Sequence, residues 1–518
     1  MFSFRSVATK LARSVLSAVS PKPKAPTPTN SSSMADTLSP EPKSQEANGA
    51  SKISTTVDNP SDNVSATSKQ NGSKNQVQRN RVRAQTTKDR REYAKRKRQE
   101  RSQEEPRERK PRTDTDEPRK PKRKVALLLG FCGTGFQGMQ VNPNARTIEG
   151  ELFKALVKAG AVSEENADDQ SKVQFQRAAR TDKGVHAAGQ VVSLKMIIED
   201  PEVLSKINEY LPEQIRAWGF VRVIRSFNSK TMCDSRIYEY LLPTYVLMDP
   251  SEANKEMARS LGFSERRVRE SSAEDMAVKR AYRAPQERLQ FVRDALAKYV
   301  GTHDFRNFTV TRGCTESNSK RFIHSFTASD PMIIRGGEWI SLKVKGQSFM
   351  LHQIRKMVGL VVLMARAGAP LSLIDALFNG PRVNVPKAPG LGLLLEQPVF
   401  DSYNRKAASQ RKDASSDLVT FEPYLKEIEG FKQKYIYDAI VDTEMADGVF
   451  DWWVQSTEVY PEPFTFVNTE GTIPDDAVVT PGREHAWQVQ MREMHAAEKA
   501  KNQASESSDD EEQSAKED

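Results

Sequence analysis

Between two apolar runs of the chain lies Arg177-Ala178-Ala179-Arg180-Thr181-Asp182-Lys183-Gly184-Val185-His186-Ala187, an unusually dense group of ionisable residues within one connection. A carboxylate among cations is a candidate for catalysis, with Asp182 as the reacting group and Arg180, Lys183 and His186 beside it. Asp-Lys-Gly is also good β-turn chemistry, and read alone the segment is a turn before it is a site. Two further positions stand out. Arg355 sits among Leu351, Val358 and Val362 at helical spacing, so its charge needs either a buried partner or an outlet to water at the helix end. Tyr238 and Tyr240 alternate onto one face of a strand, where core packing is the ordinary role.

Other chemistries are poorly supported. Gly133-x-Gly135-x-x-Gly138 follows a strand, but Asn142-Pro143-Asn144 intervenes before the helix expected at Thr147, so these glycines do not open a dinucleotide-binding helix. A close-packed turn beside the active cleft suits them better. Cys132, Cys233 and Cys314 lie far apart, which suggests neither a disulfide framework nor a zinc module. His186, His324 and His352 form no metal-ligand pattern, so metal ligands are expected to be none; a structural zinc stays open but has no ligand cluster. The longest apolar run, Met357 to Ala365, ends at Arg366, too short to span a bilayer.

The elements that must hold these residues begin near Lys124. Val125–Phe131 reads as a strand and Thr147–Lys158 as a helix capped by Thr147. Strands are expected at Phe175–Ala179, Gly189–Met196, Trp218–Val223 and Tyr238–Leu242, with a helix at Pro201–Leu211. After a polar insertion, Pro250–Pro285, come a helix at Glu287–Val300, strands at Phe322–Ser329 and Trp339–Lys345, helices at about Phe349–Ala367 and at Ser372–Phe378, and a strand at Leu393–Pro398. The second half repeats the first in element order. The expected fold class is therefore mixed α/β (α+β): residues 124–248 and 286–400 form two similar halves, each an antiparallel sheet with helices on one face, around a basic cleft. Residues 401–500 supply a linker and an appended helical layer, with Leu425–Asp442 amphipathic and Phe450, Trp452 and Trp453 clustered.

Only 37% of the 518 residues are apolar, and the mean hydropathy is −0.65, so much of the chain must be solvated. The net charge of +9 is unevenly spread: residues 79–124 carry 20 basic against 9 acidic side chains, and residues 506–518 one against 7. Residues 1–123 read as a disordered basic arm and 501–518 as an acidic tail. Residues 1–35 lack acidic side chains and resemble a mitochondrial presequence as much as an ordinary basic tail, and Met34 offers a second start. Lys95-Arg96-Lys97-Arg98 suits a nuclear address, an RNA-binding arm or a solvated charge run.

The segment around Asp182 closely resembles the Arg-Thr-Asp-x-Gly-Val-His signature of the TruA family of tRNA pseudouridine synthases. Gly133 to Gln140 is similar to the family's first loop, with Cys132 where bacterial members usually carry Asp. Arg236-Ile237-Tyr238-Glu239-Tyr240 resembles its Arg-x-Tyr-x-Tyr strand, and Phe349 to Gly359 its late helix. The resemblance spans about Lys124 to Val399. It implies isomerisation of uridine in the tRNA anticodon arm, with snRNA and mRNA as further substrates. It also implies Asp182 as catalytic carboxylate, Arg355 as its ionic partner, Tyr238 against the uracil, and Arg180 filling the space left by the flipped base; Lys183 and His186 are expected beside Arg180 as RNA-binding residues, with a core role as the alternative for His186. No cofactor is required for such chemistry. The expected protein is a nuclear monomer with a mitochondrial form; a catalytically silent RNA-binding or chaperone protein on the same fold is the rival reading.

Overall fold

The computed structural model describes residues 120–496 apart from 143–144, 311–315, 411–417, 481–483 and 495. The basic arm, the presequence-like segment, Cys314 and the acidic tail lie outside the described residues. Among the described residues, ten strands form one sheet. Its path runs β4 (Ile215–Arg222), β1 (Lys122–Phe131), β3 (His186–Ile197), β10 (Leu393–Val399), β5 (Ser235–Pro243), β9 (Gly337–Gly346), β7 (Lys320–Ala328) and β6 (Gly301–Asp304). Beside this path, β2 (Gln176–Arg177) pairs with β3, and β8 (Met332–Ile334) with β9. The expected mixed α/β class holds, and the two halves share a single sheet. β10 joins them, parallel to β3 through Leu394↔His186 and Leu395↔Ala187 and antiparallel to β5.

The helices are α1 (Ile148–Lys158), α2 (Val203–Tyr210), α3 (Glu252–Ser260), α4 (Ala273–Ala281), α5 (Gln286–Ala297), α6 (Gln353–Ala367), α7 (Ser372–Asn379), α8 (Asp401–Gln410), α9 (Leu425–Phe431), α10 (Asp438–Asp447) and α11 (Val449–Val459). Thr147 caps α1 by accepting from Gly150 N. The apolar run of β1 divides by alternation: Val125, Leu127, Leu129 and Phe131 pack with α1 and α2, while Ala126 and Leu128 join a second cluster that includes Phe421, Phe431 and Phe450. An unbroken apolar strand is what burial on both faces demands. The appended C-terminal layer supplies that second cover.

This layer approaches the strands through two glycines. A Cβ at Gly189 would lie 2.7 Å from Glu396 O and 3.0 Å from the Phe421 ring, and one at Gly219 would collide with the Tyr424 hydroxyl. Trp218 meets Phe431 edge-on, centroids 5.3 Å apart. Between α9 and α10 the chain takes a π-helical turn, Lys432–Tyr437, which brings Lys432 and Tyr437 onto the fully buried Glu239 of β5. Lys432 Nζ lies 2.8 Å from Glu239 and 3.2 Å from Glu396. Ser341 and Tyr437 also donate hydroxyl bonds to Glu239.

The polar insertion contains α3 and α4 and docks on α11. Asn254 donates to Glu458 at 2.7 Å, Arg266 pairs with Glu462 at 2.5 Å, and Lys279 pairs with Asp451. Arg266 and Lys279, two of the insertion's charges, are thus committed within the protein.

Candidate active site

The site forms where β3, β10 and β5 lie side by side. β10 is the ruler: Leu394 stands opposite His186 and Leu395 opposite Tyr238, so the start of β3, into which the Asp182 loop runs, and the Tyr238 strand are two strand spacings apart, about 10 Å. The loop leaves the sheet earlier than the apolar run Phe175–Ala179 suggests, since β2 ends at Arg177. The reason is a side chain in place of a ladder. Gln190, fully buried, accepts from Ala179 N at 3.2 Å and donates to Ala179 O at 2.9 Å. Arg236 then donates to Ala178 O at 2.8 Å from Nη2 and to Gln347 O at 3.2 Å from Nη1. With its backbone satisfied this way, the chain peels off β3 without losing its position.

The glycine-rich first loop holds the other side. Met139 N donates to Thr181 O at 3.2 Å, Gly184 N to Phe136 O at 3.3 Å and Gly133 N to His186 Nδ1 at 3.1 Å. A Cβ at Gly133 would strike the Val185 carbonyl, and at Gly138, where φ is +98°, one would sit 2.9 Å from Thr181 O. These glycines therefore serve the Asp182 segment as a tight cradle. The resulting turn closes through Val185 N to Asp182 O at 3.1 Å and leaves Arg180, Asp182 and Lys183 exposed.

His186 is a different case from its neighbours. It was expected among the RNA-contacting residues, but it is only 1% exposed, and burial pushes its pKa down to about 4. A neutral, enclosed imidazole has no charge to offer a polyanion. Its position instead ties the first loop to β3.

Tyr238 is part-buried in the middle of β5, edge-on to Phe349 with centroids 5.3 Å apart. Burial pushes its phenol up to about 12, and the negative charge of Asp182 acts in the same direction. Tyr240 is fully buried and donates to Pro389 O at 2.6 Å, in keeping with the core role expected of it. The late helix starts at Gln353, four residues after the expected Phe349, because His352 takes a left-handed conformation with φ of +62°. The intervening turn frees Phe349 to meet Tyr238.

Arg355 lies in the first turn of α6, its Nε donating to Ala388 O at 2.7 Å while Ala388 N donates to Arg355 O at 3.0 Å. Burial lowers its proton affinity, and the Asp182 charge works against that. Among the described residues no ion pair closes between Arg355 and Asp182; they act on one another through the field. Two groups outside the expected set share this field. Burial, then Lys387 and Arg355, push His352 down to about 4, and Asp182 opposes them. Lys387, on the segment before β10, is lowered by burial and by Arg355. A polar residue in the middle of a buried strand was the signal for Gln190; the reach of Lys387 and His352 depends on the tertiary structure.

The arrangement is an exposed carboxylate on a rigid loop, faced by an aromatic pair and a cationic helix start. Known proteins are similar to the chain in sequence. Residues 295–401, which include Arg355 and β10 but not Asp182, match the family model described as tRNA pseudouridine synthase. The chain is 42% identical over 409 residues to tRNA pseudouridine synthase 1 of Yarrowia lipolytica, covering 68% of this chain and 77% of that protein. It is 38% identical to the Schizosaccharomyces pombe protein of the same name, over 68% of this chain and 86% of that one. The mouse pseudouridylate synthase 1 homolog is 42% identical over 67% and 77% of the two chains. The chain belongs to the tRNA pseudouridine synthase family, whose members are isomerases acting on uridine in tRNA.

Proposed function

We propose that the protein isomerises uridines in the anticodon arm of tRNA, and uridines in snRNA and mRNA, with Asp182 as the catalytic carboxylate. One observation carries this reading: Asp182 is exposed on a loop held by Gln190, Arg236 and the first-loop backbone, and its charge reaches Tyr238 and Arg355. The reaction breaks the bond from ribose C1′ to N1, turns the base and forms the bond from C1′ to C5. The proton on C5 leaves, and N1 gains one. Asp182 attacks C1′ or stabilises its positive charge, as carboxylates do in glycoside hydrolysis, or removes the 2′ proton in a glycal route. Arg355 supplies the positive charge that the Asp182 carboxylate meets. Tyr238, held as a neutral phenol, stacks on the uracil and orients it for proton transfer from C5 rather than resting as a phenolate. Arg180 fills the space the flipped base vacates, and Lys183 meets the RNA backbone. The isomerisation is redox-neutral, and we assign it to protein side chains with no cofactor.

The protein is proposed to act as a monomer, in the nucleus and, from the upstream start, in mitochondria. The test is to incubate the full-length protein with unmodified tRNA, snRNA and mRNA transcripts and map pseudouridine by carbodiimide-dependent reverse-transcription stops. Stops at anticodon-arm uridines are expected. Stops only elsewhere would overturn the target assignment, and tight binding without stops would favour the silent RNA-binding protein.

A further inference from the structure

The cations around Asp182 outnumber the carboxylates. Arg355 of α6 and Lys387 of the segment before β10 are those cations, and among the described residues Asp182 is the one carboxylate acting on them. Lys356 is only 6% exposed, its best polar contact the Asn307 carbonyl at 3.5 Å. Burial, with the charges of Arg382 and Lys387, pushes it down to about 8. Buried positive charge without a counter-ion is costly, so its retention points to an anion supplied from outside.

Lys387 is the cation built to meet it. A Cβ at Gly359 of α6 would lie 2.6 Å from Pro386 O and 2.9 Å from Ala388 N, so the backbone on both sides of Lys387 lies directly against the helix. Ala388 is further fixed by its two hydrogen bonds to Arg355. Lys387 itself is half-buried. Beside it, His352 holds its left-handed conformation with a buried Nδ1 that has no partner in the protein. Strain and an unmatched polar atom at one place are the marks of a site completed by a ligand.

We propose that Lys387, backed by Arg355 and flanked by His352, forms a subsite for a phosphodiester of the RNA next to the target uridine. This rests on the reading of Asp182 as the group that reaches ribose C1′. The sugar is joined within a few bonds to a phosphate on each side, so a carboxylate at C1′ brings one of those phosphates to the neighbouring cations. Binding there neutralises the excess charge and fixes the ribose while the base turns. Charge and hydrogen bonding are both served.

The test is a chemical double-mutant cycle with full-length protein. Wild type, Lys387→Gln and Lys387→Arg are assayed on tRNA carrying either native linkages or one uncharged methylphosphonate, placed in turn on each side of the target uridine. Wild type is expected to lose ~10–100-fold in kcat/KM with one of the two neutral linkages, the range for one charge-assisted hydrogen bond. Lys387→Gln should show that loss on native RNA and little further loss on the neutral linkage, while Lys387→Arg recovers most of it. The salt dependence of binding should flatten by about one phosphate contact in Lys387→Gln. Losses that multiply at both linkages, or a Lys387→Gln protein with wild-type kinetics, would overturn the subsite. A Lys387→Gln protein that loses activity equally on every substrate and melts early, with no rescue by Lys387→Arg, would make Lys387 structural and also overturn it. Absence of pseudouridine with wild type on native RNA would instead remove the underlying reading.

Discussion

Replacing Lys432 with methionine removes the counter-charge of a carboxylate that has no access to water. Glu239 is fully buried on the strand that carries Tyr238, and Lys432, 4% exposed as a side chain, lies 2.8 Å from it. Burial alone would raise the Glu239 carboxyl; the Lys432 charge and hydrogen bonds from Lys432, Ser341 and Tyr437 overturn that and bring it down to about 2. Taking one partner from such a pair costs about 3–5 kcal/mol. In urea, with a slope of roughly 3 kcal/mol/M, the unfolding midpoint should fall by about 1–1.7 M.

The pH dependence gives the sign. In the wild type the lowered carboxyl contributes stability that is present above its ordinary pKa and lost as pH falls through about 2. In Lys432→Met, burial and the Glu396 charge both raise the folded carboxyl, so the folded state binds more protons than the unfolded one. The deficit should therefore shrink on acidification from pH 8 toward pH 5. Tryptophan fluorescence is a suitable probe, since Trp218 packs on Phe431 in the helix that leads into the π-helical turn. Lys432→Met combined with Glu239→Gln should recover most of the loss. A deficit below about 1 kcal/mol, or one independent of pH, would refute the assignment of Lys432 as the counter-charge.

Gly133→Ala should displace Val185 and with it the Asp182 turn, reducing turnover by more than about tenfold while RNA binding changes little; unchanged kinetics would show that the cradle is loose. Tyr238→Phe keeps the ring against Phe349 and should retain RNA affinity while slowing turnover, whereas Tyr238→Ala should lose both. Equal kcat values for wild type and Tyr238→Phe would remove the hydroxyl from the mechanism.

Local chemistry was legible in the sequence. The apolar run of β1, the Thr147 cap and the helical period of α6 all depend on neighbouring residues, and each element formed near its expected place. What was hidden depends on pairs distant in sequence. Nothing near Leu393 says that β10 will lie parallel to β3, although that one pairing merges the halves and sets the start of β3 across from the Tyr238 strand. The early exit of the loop depends on Gln190 satisfying Ala179, and the late start of α6 on one left-handed residue, His352. The charge of Asp182 reaches both Tyr238 and Arg355, while His186 turns inward. The partner expected for Arg355 acts through the field, and its closest hydrogen bond goes to Ala388.

The central claim is that Asp182 performs the chemistry. Full-length wild type and Asp182→Asn should be compared by tritium release from tRNA labelled at uridine C5, with RNA affinity measured in parallel. The expected result is a loss of release on the order of 10³-fold or more with affinity nearly unchanged. Release from Asp182→Asn within about tenfold of wild type would contradict the account.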